Sequence, residues 1–156
     1  MSAGFSRPLP FIKMHGLGND FIILDARDGK HLPDTDGMRL LANRHTGIGC
    51  DQIMILQTSA TGADVRLDML NADGSVAGAC GNGTRCVADI IMHEMHKSDI
   101  TIETISGVPN MYSPDSSIMP HQMPLHQRSS SFSEPRLLGS KYQTLSPKTA
   151  SFLLKG

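Results

Sequence analysis

The chain has 156 residues, 39% hydrophobic and 4% aromatic, with no tryptophan and a formal net charge of -1. That length suits one ordinary domain with enough chain to bury a core. The near-neutral balance, without any Lys/Arg run, excludes a polyanion-binding surface, and no apolar run approaches the ~18 residues of a membrane helix.

In chain order, Met1 to Pro10 forms an N-terminal extension with two prolines and no apolar region of signal-peptide type. Residues 11–107 read as a packed α/β domain. Phe21-Ile22-Ile23-Leu24 is a short apolar run between turn sequences, which predicts a buried strand. Asp34, Thr35 and Asp36 offer N-caps for a helix carrying Met38, Leu41 and Ala42 on one face, ended by Gly47 and Gly49. Ile53-Met54-Ile55-Leu56 predicts a second strand. Val65, Leu67 and Met69 alternate with Arg66 and Asp68, the period of a half-buried strand. Asn71-Ala72-Asp73-Gly74-Ser75 is a turn. Between Asn82 and His96, Val87, Ile90, Ile91 and Met95 fall at helical spacing. Ile100 and Ile102 then alternate as a strand. From Val108 to Gly156 the chain is rich in Ser and Pro and loses both periods. It reads as a tail unable to offset its ordering entropy by burial.

The cysteines are Cys50, Cys80 and Cys86. A small odd number argues against a disulfide framework and for free thiols in a soluble, cytoplasmic protein. Cys80-Gly81-Asn82-Gly83-Thr84-Arg85-Cys86 places a cysteine and a glycine-rich turn at the opening of the second helix. A helix N-terminus presents unpaired N–H groups and partial positive charge, which favour a bound carboxylate. The same field favours a thiolate and predicts a lowered Cys80 pKa. Gly81 and Gly83 let the backbone approach a ligand closely. An arbitrary cysteine is more often a small buried hydrophobe, a reading that the flanking glycines and helix start weaken for Cys80; taken alone, Asn19 and Asn71 read better as turn residues. His93 and His96, with Cys86 nearby, lack a fourth ligand for zinc, and a solvated helix end is the better reading.

Four segments change the balance. Met14-His15-Gly16-Leu17-Gly18-Asn19-Asp20-Phe21, Arg44-His45-Thr46-Gly47-Ile48-Gly49-Cys50-Asp51-Gln52, Asn71-Ala72-Asp73-Gly74-Ser75 and the Cys80–Cys86 segment occur in that order. Together they closely resemble the N-terminal half of diaminopimelate epimerases, over about residues 11 to 107. The resemblance implies a mixed α/β fold in which a curled sheet surrounds a central helix, forming one lobe of a two-lobed enzyme. It implies interconversion of LL- and meso-diaminopimelate in lysine biosynthesis, without pyridoxal phosphate or metal. Two opposed cysteines, one taking a proton and one giving it, do this chemistry in the family. Cys80 matches the first of them. Gly81, Asn82, Asn19, Gln52 and Asn71 match substrate-binding positions, where neutral amides both donate and accept hydrogen bonds. The resemblance allows a homodimer. It leaves Cys50, Cys86 and His15 with structural roles and Arg85 unassigned.

The sequence also departs from the family. No cysteine follows Cys86, and the family's second-half signatures are absent. The resemblance fades after Gly107, a pattern that fits a frame change or an unrelated tail. The alternatives are therefore a catalytically incompetent epimerase lobe, a related-fold isomerase acting on another amino acid, or a thiol redox or metal protein using Cys80, Cys86 and His93.

Overall fold

The computed structural model describes residues 9–29, 31–105, 107 and 110–112. Six strands and two helices follow in the order β1 (Ile12–Gly16), β2 (Asn19–Asp25), α1 (Thr35–Ala42), β3 (Gln52–Gln57), β4 (Val65–Asn71), α2 (Gly81–Met95), β5 (Ile100–Glu103) and β6 (Asn110–Tyr112). The strands form one mixed sheet in sequential order. β1–β2, β3–β4 and β5–β6 pair antiparallel, whereas β2–β3 and β4–β5 pair parallel. Each parallel pair needs a crossover longer than a turn, and α1 and α2 supply the two.

Apolar residues on both faces of the central strands explain the layers. Phe21 and Ile23 of β2, with Met54 and Leu56 of β3, pack beneath Val87, Ala88 and Ile91 of α2. Ile22, Leu24, Ile53 and Ile55 turn to the other face and meet Met38 and Ala42 of α1. A continuous apolar run is what a strand covered on both sides requires. α2 touches β1, β2, β3 and β5 at once, so the sheet curls around it. This is the sheet around a central helix that the resemblance implies for one lobe. No helix of the described residues is long and apolar enough to cross a membrane.

The expected strands and helices all occur, with four differences. β1 was not expected: its short sequence alternates weakly, and it forms by pairing with β2 through the two-residue turn Leu17-Gly18. α1 ends at Ala42, capped by Asn43, rather than at Gly47 and Gly49. Those glycines instead let the next loop fold back, where the N–H groups of Ile48, Gly49 and Cys50 donate to the carbonyls of Leu41 and Ala42. The helix's unpaired carbonyls are thereby satisfied. Met95, expected on the buried face, is 40% exposed at the end of α2. The sheet continues past Gly107 into β6, a strand of three residues, too short to show a period. The remainder of the Ser/Pro-rich tail lies outside the described residues.

Two positions in this framework lead to predictions. At the Leu17-Gly18 turn both residues have positive φ, 50° and 92°, as the favoured two-residue hairpin turn requires. A leucine there costs about 1–2 kcal/mol, and its side chain is 72% exposed, so burial returns little. Leu17→Asn should raise stability by about 0.5–1 kcal/mol in urea unfolding, since Asn tolerates this region. Gly47 is opposite in character: a Cβ there would lie 1.9 Å from the Leu40 carbonyl oxygen and 2.8 Å from that of Leu41. Both obstacles are backbone. Gly47→Ala should cost about 3 kcal/mol or more in the same measurement.

Candidate functional site

The strand period places the site. On β2, Asn19 precedes Phe21 and Ile23 by steps of two. On β3, Gln52 stands before Met54 and Leu56. On β4, Asn71 follows Val65, Leu67 and Met69. All of these apolar residues belong to the core beneath α2. The three amides therefore extend the buried rows by one step on the same face, at one end of the sheet. Register confirms the alignment: Phe21 pairs with Gln52, and Gln52 with Asn71.

The start of α2 sits over this end. Cys80 is its N-cap, and its Sγ accepts a hydrogen bond from the Gly83 N–H at 3.4 Å. The Thr84 N–H and hydroxyl both donate to the Cys80 carbonyl oxygen. Gly83 makes the seating possible, because a Cβ there would lie 2.0 Å from Met54 Cε and 3.3 Å from Phe21 Cε1. The Asn82 side-chain N–H donates to Asn19 Oδ1 at 3.2 Å, tying α2 to β2. The Gln52 Nε2–H donates to Asn71 Oδ1 at 3.1 Å, and the Asn71 Nδ2–H donates to Ser75 Oγ at 3.0 Å. Cys80, Gly81, Asn82, Asn19, Gln52 and Asn71 are all half-buried. Every residue matched from the sequence thus lies at one end of the sheet, reachable from solvent and partly screened from it.

The thiols divide sharply. Cys50 and Cys86 are 2% and 8% exposed and packed in the two cores; Cys80 is half-buried. Burial pushes Cys50 and Cys86 up to about 11. Cys80 also moves up from the ordinary thiol value, chiefly because burial penalises the thiolate, with a smaller contribution from the Asp51 charge. The N–H groups of Gly83 and Asn82 pull the other way. The expected lowering at the helix N-terminus is therefore corrected: the two donors are present, but desolvation outweighs them. Among the described residues no three His, Cys, Asp or Glu side chains converge on a metal-binding position.

A set of charges at the same end was not read as a site from the sequence. Asp20 follows Asn19, and Asp51 precedes Gln52. The Asp20 N–H donates to Asp51 Oδ2 at 3.0 Å, and the Asp51 N–H donates to Asp20 Oδ1 at 3.1 Å. The Arg44 guanidinium spans both carboxylates, at 2.7 Å from Asp20 and 2.9 Å from Asp51. Lys13 reaches Asp20 at 2.7 Å and also donates to the Gly49 carbonyl. Arg44, with help from Lys13, holds the Asp20 carboxyl well below the usual carboxylate range. Opposite charges beside two site amides were the available signal, but only the fold joins residues so far apart in sequence.

Two outcomes follow for the thiols. In native protein a small alkylating reagent should modify one cysteine, lost in Cys80→Ala, with all three reacting in urea. Its rate should rise with pH to a midpoint above 9.0, the ordinary thiol value; a midpoint near 7 would contradict this site. Unfolded Cys50 and Cys86 ionise near their ordinary value, whereas folded ones hold their protons to about 11. Their contribution to stability is complete below the ordinary value of 9.0 and falls as pH rises through about 11, by roughly 3 kcal/mol per thiol at full extent. Urea midpoints from pH 8 to 11 check this, with a shallower fall expected for Cys50→Ala.

The family described as Diaminopimelate epimerase matches residues 11–118. The diaminopimelate epimerase of Rhodospirillum centenum is 48% identical over 99 residues, covering 63% of this chain and 34% of that protein. That of Phenylobacterium zucineum is 47% identical over 107 residues, covering 69% and 38%. The chain thus spans about a third of the length of these relatives. Among solved structures, methylitaconate-delta-isomerase shares the fold at a TM-score of 0.53 and 20% identity, covering 66% of this chain and 57% of that one. With a family match over most of its length and every matched polar residue gathered where α2 meets the sheet, this chain belongs to the diaminopimelate epimerase family.

Proposed function

We propose that Cys80 removes the α-proton of diaminopimelate, as the first half of an epimerisation between the LL and meso forms in lysine biosynthesis. The observation that carries this reading is the half-buried thiol at the N-cap of α2, above four side-chain amides. The substrate carboxylate would lie against the first turn of α2, where N–H groups and the helix dipole favour an anion. Asn19, Gln52, Asn71, Gly81 and Asn82 would bind its polar groups. In the step itself the Cα–H bond breaks, the proton passes to the Cys80 sulfur, and the electron pair stays on the α-carbon, delocalised into the carboxylate. A thiolate whose pKa burial has raised is scarcer at neutral pH, yet a stronger base once formed. The chemistry asks for no pyridoxal phosphate or metal. Free thiols at all three cysteines suit a reducing cytoplasm.

A second reading is favoured by the other thiols. Inversion requires a proton donor on the opposite face of the α-carbon. Cys50 and Cys86 are buried in separate cores, and no cysteine follows Cys86. This chain would then exchange the α-proton from one face only, or bind without turnover.

Incubating the full chain with diaminopimelate in D2O, with folding checked by circular dichroism, separates these readings. Deuterium at the α-carbon together with LL–meso interconversion is the epimerase outcome, and Cys80→Ala should reduce it by at least ~100-fold. Exchange without interconversion identifies one-faced chemistry. Neither exchange nor binding by a folded chain would remove Cys80 as a base here.

A further inference from the structure

Asp20, Asp51, Arg44 and Lys13 have no part in the proton transfer as proposed, yet they converge where two of its binding strands begin. The strand period puts Asp20 and Asp51 on the α1 side of the sheet, in step with Ile22 and Ile53, opposite the amides. Each aspartate's carboxylate accepts the other's backbone N–H, and the Asp51 N–H also reaches the Asp20 carbonyl at 2.9 Å. This reciprocal clamp continues the parallel β2–β3 pairing one step beyond Phe21 and Gln52. Arg44 crosses both carboxylates from the loop that closes α1.

We propose that Asp20, Asp51 and Arg44 are positioning residues: by locking the first residues of β2 and β3 together, they set the spacing of Asn19 and Gln52 on the opposite face. Successive side chains of a strand point to opposite sides. Fixing the backbone at Asp20 and Asp51 therefore fixes where the neighbouring amides project. Such a lock has chemical value because displacement by about 1 Å at a binding group can cost ~100-fold in rate.

The test rests on the proposed function in one arm only. In the full chain labelled with 15N, NMR follows the Gln52 and Asn82 side-chain NH2 signals, which report the bonds to Asn71 and Asn19. Hydrogen exchange follows the Asp20 backbone amide, with Val87 and Ile91 of α2 as references. Asp51→Ala should lower Asp20 protection at least tenfold, shift the Gln52 and Asn82 signals, and leave Val87 and Ile91 protected. Asp51→Asn keeps an acceptor for the Asp20 N–H and should restore most of that protection. Arg44→Lys keeps the charge but loses the fork across both carboxylates, and should shift the Gln52 signal without changing α2 protection. Unmoved Gln52 and Asn82 signals in Asp51→Ala and Arg44→Lys would overturn the proposal. If Asp51→Ala deprotects the whole chain, Arg44→Lys alone decides by the same criterion. Where the parent chain exchanges the α-proton, Arg44→Lys should lower kcat about tenfold with no change in the pH midpoint of Cys80 alkylation. An unaltered kcat there also counts against positioning. A parent chain without exchange defeats the function proposed above, while the NMR outcomes still decide the clamp.

Discussion

The site depends on how closely the first turn of α2 lies on the sheet. Gly83 is buried between the helix and β2 and β3, and the space a side chain would take is filled by Met54 and Phe21. These residues occupy the row next to Gln52 and Asn19. The contact that seats the helix is therefore one step from the amides of the candidate site. Tight packing does not deform continuously, so the height of α2 above the sheet, and with it the position of Cys80, is set by this row. The Asn82–Asn19 hydrogen bond and the close approach of Gly16 to Cys86 Sγ, 3.3 Å from where a Cβ would stand, keep β1 and β2 in the same arrangement.

Much of this was legible in the sequence because the signals are local. The runs 21–24 and 53–56, the alternation at 65–69 and the helical spacing from Val87 to Ile91 each carry their period within a few residues. The candidate residues stood out for a different reason: four motifs in order resemble one family, and the fold brings their polar residues to one end of the sheet. The parity that unites them was also present, since Asn19, Gln52 and Asn71 stand in phase with the buried residues of their strands. What escaped was non-local. β1 exists because β2 offers it a partner, and α1 ends where a loop returns to cap it. The Asp20–Asp51–Arg44 set joins residues whose sequence separation hides the contact.

The thiol illustrates why one local rule was insufficient. A helix N-terminus favours negative charge, and the Gly83 and Asn82 N–H groups do act on the Cys80 sulfur in that sense. Yet the half-burial that shields a site from water also removes the solvent that would stabilise a thiolate. The two effects oppose each other at one atom, and their balance follows from how deeply α2 is seated, which the motif does not specify. For the base proposed above the result is coherent, because a sulfur with a raised pKa holds a proton more strongly than an easily ionised thiolate would.

The two faces of the sheet divide the work at this end. Toward α2 stand neutral amides, which accept or donate hydrogen bonds without adding charge. Toward α1 stand two carboxylates, a guanidinium and an ammonium, from 24% to 54% exposed and mutually compensated. Their concentration at the starts of β2 and β3, where Arg44 spans both strands, is what the proposed clamp accounts for. Keeping the charges behind the strands also limits the field that reaches Cys80: the Asp51 contribution to its pKa is smaller than that of burial or of the two N–H groups. In the proposed arrangement, side chains that alternate along the same few residues lock the strand starts on one face and leave neutral amides on the other.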